Sequence, residues 1–418
     1  AALARRYAGT RPATILLGGS SMHKSANGWQ SGRAVACLPA LTGNLGIPGG
    51  GMGPRHGART HGQDLASIAA PEQRLASGRV PDQMARVTES LESGALRVLL
   101  LFGTDMLSSF AEAGRVREAL GRLELLACHD LFLHDTARAS ADLLLPATSW
   151  LESTGCKSTN THLYLTPKIL DPPGEARPPW WILRELARRL GVEGFFPWDD
   201  ETGPLDAILD HDSTGHATVA ALAAEGGMRA LRISHVAYPD LAFDTPSGKV
   251  ELVSARAEAL GLPALPVFDA PAPSSYPLAL RNGRTLSHFH GFYDHGRALP
   301  TLARADPEPR LWLSPQDAAT RDVRDGDPIR IFNQRGEMRA AALVTDRVPP
   351  GVVWMHDGWA GLNTLTSGAA VVPDAAVRAF DTFSAGQAAF DASVEVARAE
   401  AGSAAEPNVQ KQTISSAG

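Results

Sequence analysis

Residues 123–160 decide the fold of this chain, and they read LELLACHDLFLHDTARASADLLLPATSWLESTGCKSTN. An apolar run over Leu123–Ala127 leads to His129, and a second apolar run over Leu143–Leu145 stops at Pro146. Short apolar runs that are bounded by turn residues are typical of buried parallel strands. The stretch therefore predicts two neighbouring strands of an α/β sheet.

Polar side chains follow both predicted strands. They are Asp130, His134, Asp135 and Thr136 after the first strand, and Glu152, Thr159 and Asn160 after the second. Ligands of open α/β sheets bind just beyond the carboxyl ends of the strands. The stretch thus predicts the rim of a small-molecule site, and the alternative is an ordinary doubly wound fold with hydrophilic loops.

Length and composition limit the class of protein. A chain of 418 residues, 44% hydrophobic and 20% charged, predicts a globular protein of two or three domains. A net charge of −6 and a pI near 6.1 argue against a nucleic-acid or anionic-membrane surface. No apolar run approaches the ~18 residues of a membrane span. The first residues show neither Met nor a signal-peptide pattern, so they say nothing about export.

The three cysteines carry a second limit. Cys37, Cys128 and Cys156 form no CxxC pair, which indicates buried thiols or a reducing compartment and excludes a cysteine-ligated iron–sulfur cluster from this chain alone. We therefore expect a cytoplasmic protein.

Two earlier segments also end in glycine turns. A strand over 13–19 precedes a helix that ends near Gly43, and the glycine turn between them can offer backbone N–H groups to an anion. The alternative is a plain glycine turn with a satisfied histidine. The glycine-rich residues 47–64 predict a loop.

Residues 96–102, LRVLLLF, predict a strand that ends in GTDMLSSF, followed by a helix over 112–120. This order predicts a parallel sheet.

The middle of the chain has a different sequence pattern, which is mostly helical. We expect an amphipathic helix over 180–190, alanine-rich helical structure over 203–225, a turn and a strand over 245–254, and a Pro-rich linker over 261–277. His211 and His216 are five residues apart, so on one helix they would diverge too far for a two-histidine metal site.

Short strand-like runs dominate the carboxyl-terminal part. They cover 277–280, 310–313, 327–333, 337–345 and 351–355, with a hairpin turn at Asn333–Gly336 and a helix capped by Ser314-Pro315. These runs predict a small β-barrel.

A histidine-rich segment, GRTLSHFHGFYDHG, covers 283–296. A strand would place His288 and His290 on one face, where they could bind a metal. Only Asp294 stands nearby as a further ligand, so a satisfied histidine cluster is the competing interpretation.

Several of these motifs resemble, in the right order, the molybdopterin oxidoreductases that hold a bis-molybdopterin-guanine-dinucleotide cofactor. This family includes formate dehydrogenases, nitrate reductases and sulfoxide reductases. The resemblance covers about residues 1–397 and rests on GGSSMHKSANG with LTGNLGIPGGG, GTDMLSSF, the motif of residues 130–160, TPSGKVELVS, GRTLSHFHG, WMHDGWAGLNTLTS and FSAGQAAFDASVEV. Asp105 and Met106 depart from the family, in which Asn-Pro is commoner.

The resemblance implies a fold of class α/β. A parallel-sheet cofactor domain over 1–172 would precede a mostly helical connecting segment over 173–265, a β-barrel of double-psi type over 266–398 and a disordered tail over 399–418. It also implies residues that contact the pterin nucleotides: Gly19, Met22, His23, Asn27, Gly103, Thr104, Asp105, Asp130, Phe132, Thr136, Arg284, His288, His290, Asn363 and Gln387.

The family's full enzymes are about twice as long. The absent half carries the molybdenum ligand and any iron–sulfur cluster, so the resemblance implies that this chain is the carboxy-terminal half of a two-electron, often oxygen-atom-transferring enzyme with no metal ligand of its own. Molybdenum is expected, and tungsten can replace it. The expected partners are the missing half or a partner chain, an electron-transfer subunit and a small-molecule substrate. The alternative is a structural subunit or relic without cofactor.

Overall fold

The computed structural model describes residues 1–18, 24–53, 68, 84–159, 161–269, 274–287, 300–379 and 385–399. It divides into two compact units. Unit 1 comprises Ala1–Asp105, Arg117–Pro271 and Ala369–Ala388, and unit 2 comprises Met106–Val116, Ala272–Gly368 and Ala389–Gly418. The domain bounds expected after residues 172, 265 and 398 stay a prediction, and the predicted tail lies outside the described residues except for Ala399.

The helices are labelled in chain order. They are α1 (Ala2–Gly9), α2 (Gly28–Leu41), α3 (Met84–Glu92), α4 (Met106–Ser109), α5 (Ala113–Leu120), α6 (Asp135–Ser140), α7 (Pro179–Arg189), α8 (Thr202–Leu209), α9 (Val219–Ala224), α10 (Ala255–Ala259), α11 (Pro300–Ala305), α12 (Pro315–Ala319) and α13 (Asp374–Ala379), with 3₁₀ turns at Asp212–Thr214 and Leu362–Thr364. None of the helices in the described part of the chain has both the length and the apolar character that a membrane span needs.

The strands are labelled in the same way. They are β1 (Thr14–Leu16), β2 (Gly51–Gly53), β3 (Val98–Phe102), β4 (Leu125–Asp130), β5 (Leu143–Pro146), β6 (Gly155–Ser158), β7 (His162–Thr166), β8 (Met228–Ala230), β9 (Leu278–Gly283), β10 (Arg310–Leu313), β11 (Pro328–Asn333), β12 (Gly336–Val344), β13 (Val352–His356) and β14 (Ser393–Arg398).

In unit 1, the predicted parallel sheet is present in the order β3-β4-β5. Its registers align Phe102 with His129 and Asp130 with Pro146, so the carboxyl ends of all three strands meet at one edge. The central strand β4 is buried, with Leu126 at 0% exposure, because strands flank it on both sides. An apolar run that is solvent-shielded on both faces is the pattern of a parallel strand, which explains why the sequence identified β3 and β4.

Two smaller sheets complete unit 1. β1 pairs in parallel with β2, and β6, β7 and β8 form an antiparallel sheet. A core of Leu163, Leu209 and Leu222 packs with the latter sheet. The pairing with β1 draws Gly51–Gly53 into a strand where we predicted only a loop.

One other local prediction in unit 1 is wrong, and one is confirmed only in part. The stretch over 245–254 forms a turn, in which Gly248 N–H donates to Thr245 O at 3.0 Å, but no strand. Alternating apolar residues there meet no partner strand, and a strand without a ladder is not stable. The helical structure expected over 203–225 is split between α8 and α9, because His216 takes a left-handed φ of 53° after Gly215.

Unit 2 contains the predicted barrel. Six strands close it in the order β10-β12-β11-β14-β9-β13, with β13 pairing back onto β10. Alternate residues of β11 are buried, so Ile329 and Ile331 point into a core that also holds Leu280, Leu311 and Val353. Asn333 and Gly336 pair across the β11–β12 hairpin as predicted. The class, an α/β chain with a parallel sheet and a carboxyl-terminal β-barrel, is confirmed.

Candidate functional site

The edge of the sheet in unit 1 begins with Gly103, the residue after β3. Its N–H donates to His129 O at 3.0 Å, and its φ is +58°. A left-handed φ favours glycine because it has no Cβ, although no atom lies within 4 Å of the place a Cβ would take. This turn carries Thr104 and Asp105 to the carboxyl end of the sheet, and the Thr104 hydroxyl donates back to Phe102 O at 3.1 Å.

Asp105 contacts the start of α6. Its Oδ1 accepts from the Thr136 hydroxyl at 2.6 Å and from the Thr136 N–H at 3.2 Å. Thr136 is fully buried and Asp105 is nearly so, with a side chain that is 14% exposed. The structure therefore brings together two predicted site residues that are 31 positions apart.

Asp130 ends β4 and shapes the next turn. Its Oδ1 accepts from the N–H groups of Leu131 at 2.7 Å and Phe132 at 3.4 Å. Its Oδ2 lies 3.4 Å from His134 Nε2. One carboxylate oxygen of Asp130 thus fixes the backbone of the turn, and the other lies next to the imidazole of His134.

His134 lies between the two carboxylates; the sequence analysis placed it on the predicted rim but not among the residues that contact the nucleotides. Its Nδ1 accepts from Ala137 N–H at 3.3 Å, so the imidazole is the N-cap of α6, and the same atom lies 3.5 Å from Asp105 Oδ1. Burial lowers the pKa of His134, but the hydrogen bond and charge of Asp105 together with the charges of Asp130 and Asp135 outweigh it, and the net pKa is raised. The sequence signal was its place just before a helix, where a capping acceptor is expected.

A cavity of about 190 Å³ opens beside this cluster in unit 1. The surface of its lining is polar and apolar in about equal parts, and the lining residues are Cys128, Asp130, Leu131, Phe132, Leu133, Ala137, Leu144, Leu145 and Pro146. Burial, followed by the charges of Asp130 and Asp105, raises the pKa of the Cys128 thiol to about 11, so the thiol is neutral near pH 7. Apolar side chains together with one carboxylate acceptor, Asp130, suit a flat, uncharged ring that carries N–H donors.

The other polar residues expected on this rim are used locally. Glu152 accepts from Ser149 N–H at 2.9 Å, and Thr159 bonds with the backbone of His162. Asn160 lies outside the described residues. His129, the residue before Asp130, is buried and its Nε2 contacts Arg177 O at 2.8 Å, which is a structural bond.

In unit 2, a second set of strand ends holds Arg284. β9 and β13 are parallel, and Asp357 N–H donates to Gly283 O at 2.9 Å just where both strands end. Arg284 follows directly, and His356 forms an ion pair with the buried Asp306. The Ser287 hydroxyl donates to the same carboxylate at 3.4 Å. The sequence analysis missed His356 and Asp306, and the pairing of β9 with β13 is the fact that would have pointed to them.

Three predicted amide contacts are engaged within their own units. In unit 1, Asn27 exchanges two hydrogen bonds with the backbone of Asp269, at 2.7 and 3.0 Å, and Gln387 is buried with 7% exposure. In unit 2, Asn363 Nδ2 donates to Ser108 O and Asn363 Oδ1 accepts from the Thr366 hydroxyl at 3.3 Å. Gly19, Met22, His23, His288 and His290 lie outside the described residues, so their assigned roles stay predictions.

Comparison with known proteins gives these sites a context. The family model described as molybdopterin oxidoreductase matches residues 10–189, and the one described as molydopterin dinucleotide binding domain matches residues 278–384. The two matches contain the sheet edge of unit 1 and the strand ends that hold Arg284. The chain belongs to the molybdopterin oxidoreductase family.

Individual relatives agree with this family. The chain is 32% identical over 375 residues to the "Probable oxidoreductase YoaE" of Bacillus subtilis, covering 86% of this chain and 53% of the relative. It is 28% identical to the dimethyl sulfoxide/trimethylamine N-oxide reductase of Rhodobacter capsulatus, covering 85% and 50%. The chain thus spans about half the length of these curated relatives. Its fold is similar to acetylene hydratase from Pelobacter acetylenicus, with a TM-score of 0.63 and 21% identity over 76% of this chain and 46% of that one.

The residues of these two sites are compatible in chemistry with the nucleotide end of a molybdopterin cofactor. A nucleobase is flat and carries N–H donors, and the cavity in unit 1 offers apolar side chains with the Asp130 carboxylate in its lining. A phosphate would be repelled there by Asp105, Asp130 and Asp135, whereas Arg284 in unit 2 carries the guanidinium that binds phosphate in a bidentate manner. Within the described residues, no group of three or more His, Cys, Asp or Glu side chains is placed to hold a metal ion.

Proposed function

We propose that this chain binds the two pterin guanine dinucleotides of a molybdenum cofactor and forms the carboxy-terminal half of the catalytic unit of an oxidoreductase. The observation that carries the proposal lies at the carboxyl end of the parallel sheet, where Thr136 bonds to Asp105 and His134 lies between Asp105 and Asp130, beside a cavity that Asp130 lines. Ligand sites of open α/β sheets lie at this edge. The resemblance to the family's guanine pocket adds the identity of the base.

Within unit 1, each side chain has a distinct part in this proposal. Asp130 Oδ2, which lies 3.4 Å from His134 Nε2, would also accept from the N–H edge of the guanine. Phe132, which lines the same cavity, would pack on the guanine ring. Asp105 would hold Thr136 and the start of α6 in place, since its Oδ1 is engaged there already. The Gly103-Thr104 turn would bring backbone close to the nucleotide.

In unit 2, Arg284 would bind a phosphate of the second dinucleotide, with Asn363 as a further polar contact. In unit 1, Gln387 and Asn27 are further proposed contacts, and the predicted roles of Gly19, Met22, His23, His288 and His290 belong to the same proposal. When bound, the molybdenum cofactor supplies two-electron chemistry, often with transfer of an oxygen atom. The described side chains bind and orient it and tune the charge around its nucleotides.

The rest of the enzyme belongs to the proposal as well. The half that this chain does not cover would supply the metal ligand, any iron–sulfur cluster and the contact with an electron-transfer subunit. Because one relative is named a dimethyl sulfoxide/trimethylamine N-oxide reductase, a sulfoxide and an N-oxide are the first substrates to test. Tungsten can take the place of molybdenum, and we expect the enzyme in the cytoplasm.

A second candidate function is a structural subunit that keeps the fold without cofactor. Metal and pterin analysis separates the two. The chain is purified from a host that makes the cofactor, together with any polypeptide bound to it, and is hydrolysed to release the nucleotide. We expect molybdenum or tungsten, about two pterins per chain by the family's stoichiometry, and GMP. Folded protein with neither metal nor pterin would refute the enzyme and leave the structural subunit.

Aspartate substitutions make the analysis specific to the site. Asp130→Asn should lower the pterin content, because it replaces an acceptor for the base with a donor, while Asp212→Asn, on the exposed surface of unit 1, should leave it unchanged. Equal pterin content in the two variants would show that the cofactor binds elsewhere.

A further inference from the structure

The imidazole of His134 is enclosed by carboxylates at the end of the sheet in unit 1. Its Nδ1 lies 3.5 Å from Asp105 Oδ1, and its Nε2 lies 3.4 Å from Asp130 Oδ2. The side chain is only 7% exposed. Nε2 is buried and makes no hydrogen bond of good geometry within the described part of the chain. A buried histidine with an unsatisfied nitrogen beside two carboxylates is poised for a change of partners.

The two protonation states of His134 have different partners. In the neutral form Nδ1 accepts from Ala137 N–H at 3.3 Å and caps α6, so the proton is on Nε2 and faces Asp130. A proton added to Nδ1 turns that atom into a donor, and the carboxylate nearest to it is Asp105. The charged imidazole would therefore link Asp105 with Asp130, at the cost of its bond to Ala137.

We propose that His134 is a positioning residue that takes up a proton when the anionic nucleotide of the cofactor binds, and thereby fixes Asp105 and Asp130 as a pair. The inference rests on the function proposed above. It goes further by making cofactor binding depend on a proton that the nucleotide itself does not carry.

The negative charges around His134 explain why it would take up a proton when the nucleotide binds. The acidic groups that face His134 are Asp105 from the end of β3, Asp130 from the end of β4 and Asp135 from α6. Cys128 on β4 adds no charge near neutral pH, since burial and these acids raise the pKa of its thiol to about 11. A phosphate-bearing ligand adds further negative charge, so a proton on His134 offsets repulsion that would otherwise oppose binding.

The pKa of His134 makes the step accessible. Burial lowers this pKa, and the neighbouring carboxylates raise it by more, so the free protein exchanges this proton above the ordinary histidine value of 6.5. An approaching anion raises the pKa again. Proton uptake on binding is thus expected at pH values above the pKa of His134 in the free protein.

Calorimetry with GDP tests the inference. GDP is titrated into the full chain at several pH values from about 6 to about 9, in two buffers with different heats of ionisation, because the difference between the heats reports the protons taken up. His134→Asn is the informative variant, since Asn keeps an N-cap acceptor for α6 but does not titrate. His216→Asn is the matched control, because His216 also lies between two aspartates, Asp210 and Asp212, but on the exposed surface.

In the wild type and in His216→Asn, we expect proton uptake and an affinity for GDP that falls by up to about tenfold per pH unit above the pKa of His134. Above about pH 7.5, where the terminal phosphate of GDP is already ionised, His134→Asn should take up no proton and show an affinity that is flat with pH. GDP binding by the wild type without proton uptake would overturn the inference and leave the proposed function standing. A chain that holds neither GDP nor pterin would overturn both.

An NMR titration answers the same question without the variant. The ¹³Cε1 resonance of His134 is followed with pH in the wild-type chain, free and saturated with GDP. We expect the pKa of His134 to rise on binding while that of His216 stays the same. An unchanged pKa of His134 would overturn the proposal even if His134→Asn failed to fold.

Discussion

The Thr136 hydroxyl donates to Asp105 Oδ1 at 2.6 Å, and this one bond joins the end of β3 to the first turn of α6. Both groups are buried and one is charged, which makes the bond stronger than a hydrogen bond between neutral groups. The loop that carries Asp130 runs between β4 and α6, so its conformation depends on where α6 begins. In the proposed site Asp105 would therefore act through Thr136, and the direct contact with the nucleotide that the family resemblance implies stays a prediction.

Thr136→Val removes this hydroxyl at nearly constant volume. We expect the free energy of unfolding of unit 1 to fall by about 1–3 kcal/mol, because the bond to a charged acceptor is lost inside the protein. Urea denaturation followed by far-UV circular dichroism measures it. Thr320→Val is the control, since that hydroxyl bonds to Asp317 O on an exposed turn of unit 2, and it should change stability by less than about 0.5 kcal/mol. Equal effects of the two variants would contradict the role given to the Asp105 bond.

Gly103→Ala tests the turn after β3. Its φ of +58° is unfavourable for alanine by about 1–2 kcal/mol, while no neighbour lies close enough to clash with the new methyl group. The loss should therefore appear as backbone strain alone and be no larger. Gly114→Ala is the control, because Gly114 lies in α5 at an ordinary helical φ, and it should be neutral or stabilising. Differential scanning calorimetry of the three proteins gives the comparison, and a stable Gly103→Ala would show that the turn is not fixed.

The strands of the sheet and barrel were predictable because burial patterns are local. β3 and β4 are apolar runs, and in the barrel the buried Ile329 and Ile331 alternate with less buried residues over a few positions. The predicted strand over 245–254 had the same kind of pattern and still failed. A strand also needs a partner strand to pair with, and whether one is present depends on residues distant in the sequence.

The site was predictable only in part, for the same reason. Asp130 and Thr136 follow from their place after a strand, and the family resemblance named them. The approach of Thr136 to Asp105 spans 31 residues, and the pair of His356 with Asp306 spans 50, so no spacing rule reveals either. His134 was visible as a polar residue of the loop, but its enclosure by two carboxylates depends on the packing of three strand ends.

Stability of the free chain should depend on pH through His134. Its pKa is raised in the folded protein, burial notwithstanding, by the hydrogen bond and charge of Asp105 and by the other acids. A raised pKa means that the folded state holds the proton more tightly than the unfolded state. The stabilisation is therefore fully present below the unfolded value near 6.5 and is lost as the pH rises through the folded value. His134→Asn should flatten this part of the curve of unfolding free energy against pH.

Salt separates His134 from the exposed His216, whose pKa is raised chiefly by its hydrogen bond to Asp210. At an ionic strength of about 0.5 M the surface pair is screened, while the buried His134 is screened much less. In high salt, the free energy of unfolding should therefore still depend on pH in His216→Asn, but no longer in His134→Asn. A salt-resistant slope in His134→Asn would contradict the assignment.

Asp130 should decide which base the cavity accepts. Its Oδ1 is engaged with Leu131 N–H, so the oxygen left for a ligand is Oδ2, and a guanine offers N1–H and the 2-amino group to such an acceptor. Asp130→Asn can keep the backbone bond through its amide oxygen while turning an N–H₂ donor towards the base. We expect the affinity for GDP to fall by about ten- to a hundredfold, which corresponds to about 1–3 kcal/mol.

Inosine diphosphate, which lacks the 2-amino group, identifies the contact. The wild type should bind it more weakly than GDP, and Asp130→Asn should bind the two nucleotides about equally, because the acceptor that distinguished them is gone. Calorimetry gives the affinities of the wild type and of Asp130→Asn for each of the two nucleotides. The test is whether the loss of affinity caused by the missing amino group is smaller in Asp130→Asn than in the wild type. If Asp130→Asn weakened both nucleotides by the same factor, Asp130 would act through the shape of the 130–134 turn and not by contact with the base.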